Sequence, residues 1–226
     1  MKNVACSWSG GKDCCMALIE AKALGYNPVV LINMMNVDGK TSRSHGLPVK
    51  LLKQQANEMN MTLVTIPTTS ENYEEKFVEA LIQLKTDHAI EGVVYGDIDL
   101  VAHRDWQERV CRSVGLEAIL PIWERVRTKL ARQIVDAGIE SIIVACNAVM
   151  GEEYLGKTYS AELINKLINL GVDSCGEDGE FHSFVINCPL YQNRISVPNY
   201  LKNTNSDFCF IDWENESSSK FKDATL

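Results

Sequence analysis

Between the apolar run Val4 to Trp8 and a segment of helical period beginning at Lys12 stands Ser9-Gly10-Gly11-Lys12-Asp13-Cys14. Such a turn suits an anion. Two glycines let the backbone come close, and the helix that follows aims unpaired N–H groups and its positive dipole end at the same point. Lys12 adds a full charge. A second stretch, Gly151-Glu152-Glu153-Tyr154-Leu155-Gly156-Lys157-Thr158, matches the G-x-x-x-x-G-K-T pattern letter for letter. Its interior carries two carboxylates and two bulky side chains where a phosphate cradle favours small residues, and Asn147 to Met150 separate it from the preceding apolar run. The first loop is the expected phosphate site, and the second is expected to be a connection into the next helix.

Asp97, in Tyr95-Gly96-Asp97-Ile98, follows the apolar pair Val93-Val94 and should emerge at the carboxyl end of a parallel strand, where open α/β sheets place ligands. The same position would also let it cap the helix starting near Ala102. Arg43-Ser44-His45-Gly46 brings a cation, a hydroxyl and an imidazole toward the same sheet edge. His103, Arg104, Glu108 and Arg112 are spaced for ion pairs along one helix, as on a solvated face. The densest cluster is Gly176-Glu177-Asp178-Gly179-Glu180-Phe181-His182-Ser183-Phe184. Its carboxylates repel one another unless a metal, an ammonium ion or protons balance them. The glycines and aromatic residues around them argue against a plain acidic turn.

These groups need elements to position them. Apolar runs alternate with helical-period segments through most of the chain, the signature of βαβ units around a mainly parallel sheet. Strands are expected at Val4 to Trp8, Val29 to Met34, Thr62 to Ile66, Gly92 to Tyr95 and Ser141 to Cys146. Helices are expected at Lys12 to Leu24, Pro48 to Met59, Tyr73 to Lys85, Ala102 to Ser113, Thr128 to Asp136 and Ala161 to Leu170. Gly25 and Gly171 stand where helices should end, and Pro48 suits a first turn. The fold class is therefore α/β: a Rossmann-like domain with a parallel five-stranded sheet over residues 1–124, and a smaller α+β domain over 125–226, divided near Glu124. Asn203 to Leu226 reads as a polar, loosely held tail that Phe208, Phe210 and Trp213 could dock.

With 46% apolar and 23% charged residues, the 226-residue chain can build a sizeable core and is neither disordered nor a stapled miniprotein. Its longest apolar stretches fall short of the roughly 20 residues of a membrane span. Met1-Lys2-Asn3 leads straight into Val4 without the features of a signal peptide, so a cytoplasmic location is expected. Eight cysteines form no C-x-x-C pair, which argues for reduced thiols and against a zinc ribbon. A formal charge of −8 disfavours a nucleic-acid backbone as partner.

The first loop resembles that of the N-type ATP pyrophosphatases of the adenine nucleotide α-hydrolase superfamily, S-G-G-x-D-S; five of six positions fit, and Cys14 replaces the final serine. Added to it are Ser44-His45-Gly46, Gly96-Asp97-Ile98, Leu120-Pro121-Ile122-Trp123, Tyr154-Leu155-Gly156-Lys157 and Cys175-Gly176-Glu177-Asp178-Gly179-Glu180-Phe181-His182. With these, the chain from Val4 to about Leu190 is similar to the diphthine-ammonia ligase family. The glycine–acid motif marks that family, whereas the loop marks only the superfamily.

The resemblance implies a HUP-type first domain that binds ATP through Ser9, Gly10, Gly11, Lys12, Asp13, Cys14, His45, Gly96 and Asp97, with Asp13 serving Mg2+. It implies an acceptor carboxylate that attacks the α-phosphate, and ammonia that displaces AMP from the acyl-adenylate. Lys12, Asp13, Glu177, Glu180 and His182 are the expected catalytic residues, the last three positioning ammonium or taking its proton. The family's acceptor is diphthine, a modified histidine of elongation factor 2 in archaea and eukaryotes. Two other readings stay open: an adenylating or sulfur-inserting enzyme of the same superfamily acting on tRNA, and a non-catalytic nucleotide-binding module. The acceptor, the nitrogen donor and the oligomeric state, homodimer included, are left open.

Overall fold

The computed structural model describes residues 1–205 and 207–213. Strands and helices alternate through β1 (Asn3–Ser7), α1 (Lys12–Ala23), β2 (Asn27–Met35), α2 (Val49–Glu58), β3 (Thr62–Pro67), α3 (Tyr73–His88), β4 (Gly92–Val94), α4 (Val101–Ser113) and β5 (Glu117–Ile119). The chain continues through α5 (Arg127–Asp136), β6 (Glu140–Asn147), α6 (Ala161–Asn169), β7 (Phe181–Asn187), β8 (Tyr200–Thr204) and β9 (Phe208–Trp213).

The central strands are apolar at consecutive positions because both faces are covered. Val4, Cys6 and Leu31 share one core with α1 and α2, while Ala5, Val30, Ile32 and Val93 pack with Phe77 and Leu81 of α3 and Val110 of α4. The sheet order is β3-β2-β1-β4-β5, all parallel. The chain winds from β1 outward to β3 and then returns to the other side, which opens a crevice at the carboxyl ends of β1 and β4. Both the glycine loop after β1 and the Tyr95 to Leu100 segment after β4 border that crevice.

The second sheet has the order β7-β6-β9-β8 and is antiparallel. Its buried residues Ile143 and Phe184 belong to the same core as α1 and α2. β7 lies against the glycine loop: the Val185 amide donates to Gly10 O at 2.9 Å, and Gln55 Nε2 donates to both Gly10 O and Val185 O.

Two local expectations need correction. The fifth parallel strand is Glu117–Ile119, too short to show a period, whereas the apolar run Ser141 to Cys146 becomes β6 inside the antiparallel sheet. The tail reading fails for residues 203–204 and 208–213, which belong to the strands of a hairpin. β9 alternates half-buried and buried residues, pairs with β6 through Cys146 and Cys209, and sets Trp213 edge-on to Phe184 at 5.9 Å. Residues 214–226, including Ser217 to Ser219, lie outside the described residues. Among the described residues, no helix is long and apolar enough to cross a membrane.

Candidate active site

The glycine loop is held tightly from behind. Gly10 has φ +87°, and a Cβ there would stand 2.6 Å from Leu47 Cδ1, so both backbone and space demand glycine. The Gly11 amide donates to Ser9 Oγ at 3.3 Å and the Lys12 amide to Ser183 Oγ at 3.1 Å. Cys14 Sγ donates to Gly11 O and accepts from Ser9 Oγ. Across the crevice, a Cβ on Gly96 would lie 2.6 Å from Cys14 N. That close approach brings Asp97 up beside the loop.

Lys12 is 2% exposed. Its Nζ donates to Asp13 Oδ2 at 2.8 Å and to Cys175 O at 2.5 Å, with the rings of Phe181 and Tyr159 at 4.8 and 5.4 Å. Burial works against the ammonium, but Asp13 and the acidic surroundings outweigh it, and Lys12 stays charged with its pKa raised. Burial likewise raises Asp13, with Lys12 opposing. Asp13 Oδ1 is buried and has no hydrogen-bond partner among the described residues.

The repulsion within the acid turn is resolved residue by residue. Arg127 forks onto Asp99 at 2.7 Å and 2.7 Å and reaches Asp173 and Asp178 at 3.1 and 3.0 Å, tying the turn to the segment after β4. Glu180 accepts from the Asp173 amide at 3.0 Å and the Asp178 amide at 3.1 Å, so its carboxylate braces the turn from within. Asp173, Asp178 and Glu180 come close enough together to chelate a cation, but Arg127 and these amides already occupy them. Glu177 alone is left facing the cavity without such partners. Burial first, then Asp13 and Asp97 against the opposing Lys12, push its carboxyl up to about 8.

His182 is lowered to about 4 by burial and by Lys12, and His45 is lowered well below its usual value by burial and by His182. Both rings are neutral near pH 7. Their centroids lie 4.6 Å apart, and His45 Nδ1 is 2.8 Å from Ser183 O. Asp97 takes His103 Nδ1 at 2.8 Å on one oxygen and Gln107 Nε2 at 2.5 Å on the other. His103 borders the cavity while staying exposed and pairs with Asp97; within its own helix row Glu108 and Arg112 meet, at 3.8 Å.

Lys12, Asp13, Cys14, His45, Gly96, Asp97, Glu177 and His182 line one cavity of about 480 Å³. An adjoining cavity of about 580 Å³, reached past Ser9 and His182, runs between Trp8, Ile32, Asn33, Met34 and Phe208. Both volumes suit a small-molecule ligand. Of the expected site residues, Ser9 also lines it, whereas Gly10, Gly11 and Glu180 sit behind the cavity wall. The other glycine–lysine loop already has four successive amides engaged. The amides of Tyr154, Leu155, Gly156 and Lys157 donate to Gly151 O, Glu152 O, Ile143 O and Tyr154 O.

The diphthamide synthase N-terminal domain matches residues 1–118, and the diphthamide synthase C-terminal domain matches residues 127–218. The chain belongs to the diphthamide synthase family. A curated diphthine–ammonia ligase of Rattus norvegicus is 29% identical over 86% of this chain and 82% of its own length. The Homo sapiens protein of the same name is 27% identical over the same shares. One from Schizosaccharomyces pombe is 27% identical over 90% of this chain, which spans only 38% of that longer protein. A solved structure from Methanocaldococcus jannaschii, described as a predicted subunit of tRNA methyltransferase, overlaps at TM-score 0.42 and 16% identity across 86% of this chain and all of its own. An overlap at that level fixes neither fold nor activity.

Four contributors to the site carry no signal strong enough to single them out beforehand. Ser183 stands at the end of the acid motif, but its contact with the Lys12 amide joins residues 171 positions apart. Arg127 and Asp99 meet only through the crossover between the two sheets. Gln107 does leave a trace in the sequence: it is an uncharged polar residue on the inward stripe of α4 beside Val110 and Cys111.

Proposed function

We propose that the protein is an ATP-dependent carbon–nitrogen ligase that activates an acceptor carboxylate as its adenylate and closes the amide with ammonia. The observation that carries this reading is the shared cavity: an anion-binding loop and a carboxyl raised to about 8 face the same space. The family relationship points the same way. The triphosphate takes the loop Ser9 to Cys14, and the adenosine extends toward Trp8, Ile32 and Met34. An acceptor carboxylate oxygen then attacks the α-phosphorus, and the bond to the bridging oxygen breaks with its electron pair on pyrophosphate. Lys12, fixed by Asp13 and Cys175 O, offsets the charge that develops there.

The buried, unpartnered Asp13 Oδ1 is a hard oxygen ligand of the type that fits Mg2+. When bound, the ion would supply further positive charge to the polyphosphate. In the second half-reaction Glu177 takes a proton from ammonium, a task suited to a carboxyl whose pKa lies near the working pH. His182, neutral, stands as a hydrogen-bonding group beside it. Glu180 holds the turn in shape. The acceptor follows the relatives' name, diphthine, and the family resemblance adds elongation factor 2 as its carrier where the source is archaeal or eukaryotic.

Turnover of ATP labelled at the α-phosphate, in the presence of acceptor and ammonium, tests this. Labelled AMP with stoichiometric pyrophosphate is expected. Labelled ADP would overturn the adenylation chemistry.

A further inference from the structure

Gln107 is 5% exposed on the inward face of α4. Its amide orientation follows from its partner: a carboxylate oxygen accepts, so the group 2.5 Å from Asp97 Oδ2 is the Nε2 donor. Oε1 is therefore left buried without a hydrogen-bond partner among the described residues, on a side chain that borders the cavity lined also by Glu177. A buried acceptor without a donor destabilises the fold, and an apolar side chain would fill the same place without that cost. Nε2 is accounted for by Asp97, whereas Oε1 suits a ligand with a hydrogen to give.

The surroundings specify what kind. Asp97, Glu177 and the rings of Tyr95 and Trp106 line the same cavity, and these acceptors and π-faces favour a small cation beside them. The protein's own cations nearby are already engaged. Lys12 is held by Asp13 and Cys175 O, and His103 by the other oxygen of Asp97. Ammonium has only donors and no acceptor, and so matches an acceptor left without a donor.

We infer that Gln107 Oε1, aligned by Asp97, binds the ammonium substrate and presents it to Glu177. This rests on the ligase reading above and names the residue that holds its nitrogen donor. One N–H proton passes to the Glu177 carboxylate, and the freed lone pair forms the C–N bond to the acyl carbon. The C–O bond to AMP breaks with its electron pair on AMP, and a second proton leaves the nitrogen for water. Gln107 is unchanged throughout. Its amide, unlike a third carboxylate, adds an acceptor without adding charge beside Asp97.

Two measurements test the assignment. Thallous ion, an ammonium mimic visible by anomalous scattering, is soaked into crystals of the wild-type protein. Density within coordination distance of Gln107 Oε1 is expected, and density confined to Asp173, Asp178 and Glu180, or none at all, overturns the assignment. In the complete reaction, Gln107→Met should raise KM for ammonium on the order of 10- to 100-fold, the value of one hydrogen bond to a charged group, with KM for ATP nearly constant. Gln107→Asn should fall between the two. A rise in KM for ATP instead would assign Oε1 to the nucleotide. If wild-type protein yields no AMP, the ligase reading fails and takes this inference with it. If wild type turns over and Gln107→Met keeps its ammonium KM, the inference alone fails. Should the variants not fold, the thallous density in wild type decides.

Discussion

The two glycine–lysine loops, Ser9 to Cys14 and Gly151 to Thr158, are near equals as letters and opposites as structures. The second satisfies four successive amides with nearby carbonyls and leaves Lys157 exposed. The first meets its amides with the hydroxyls of Ser9 and Ser183, stands at the reversal of strand order, and buries Lys12 against the turn at Cys175. Composition is thus a poor guide to anion binding. What separates the loops is the setting: the first joins a central strand of the parallel sheet to a helix and buries its lysine beside a cavity, and the second does neither.

Replacing each lysine by alanine puts that contrast under the greatest strain. Lys12→Ala should weaken ATP binding on the order of 100-fold, since it deletes a preorganised charge. It should also cost about 3 kcal/mol of stability, the low end for breaking a buried pair, because Asp13 keeps some exposure. Lys157→Ala should leave both unchanged. Calorimetric titration of ATP into the two variants reads the outcome, and equal losses would break the comparison.

The facing turn sharpens it further. Glu177→Gln should lower amide formation about 100-fold while ATP affinity changes little. Glu180→Gln, which puts an NH2 against a backbone donor, should mainly lower stability, by about 1–2 kcal/mol. Glu177 also leaves a signature in pH. Its carboxyl is raised from 4.5 to about 8, so the folded state keeps a proton that the unfolded chain releases, and this contribution to stability is lost as pH rises toward 8. His182, lowered from 6.5 to about 4, acts in the opposite sense below 6.5. Between pH 6.5 and 8 the wild-type Tm should therefore fall, and Glu177→Gln should fall less steeply; His103, raised by Asp97, keeps part of the slope in both. Parallel melting curves would remove Glu177 from the buried site.

The mildest change addresses the one letter by which the loop departs from its superfamily. Cys14 Sγ hydrogen-bonds with Gly11 O and Ser9 Oγ, inside the loop. Cys14→Ser should move the ATP dissociation constant by less than about threefold, since a helix N-terminus binds anions chiefly through its amides. A larger gain would give the side chain a direct role.

Local order was open to reading wherever one segment carried its own reason. The covered parallel strands announce themselves as unbroken apolar runs, Gly10 answers a positive φ, and the loop lies between β1 and α1 as its letters require. Three-residue β5 and the β8–β9 hairpin escaped because a strand that short has no period and a half-polar edge strand is stabilised by its neighbours, not by its own pattern. The acid motif was visible as a cluster needing compensation, but not how that compensation divides: Arg127 for Asp173 and Asp178, backbone amides for Glu180, burial and a proton for Glu177. The sequence by itself determined which residue types were present to bind phosphate and move protons, because those capacities belong to side chains. Tertiary structure alone decided which of them face one cavity, and with what charge. Burial and the distance to an opposite charge set a group's ionisation, and both arise between segments that lie far apart along the chain.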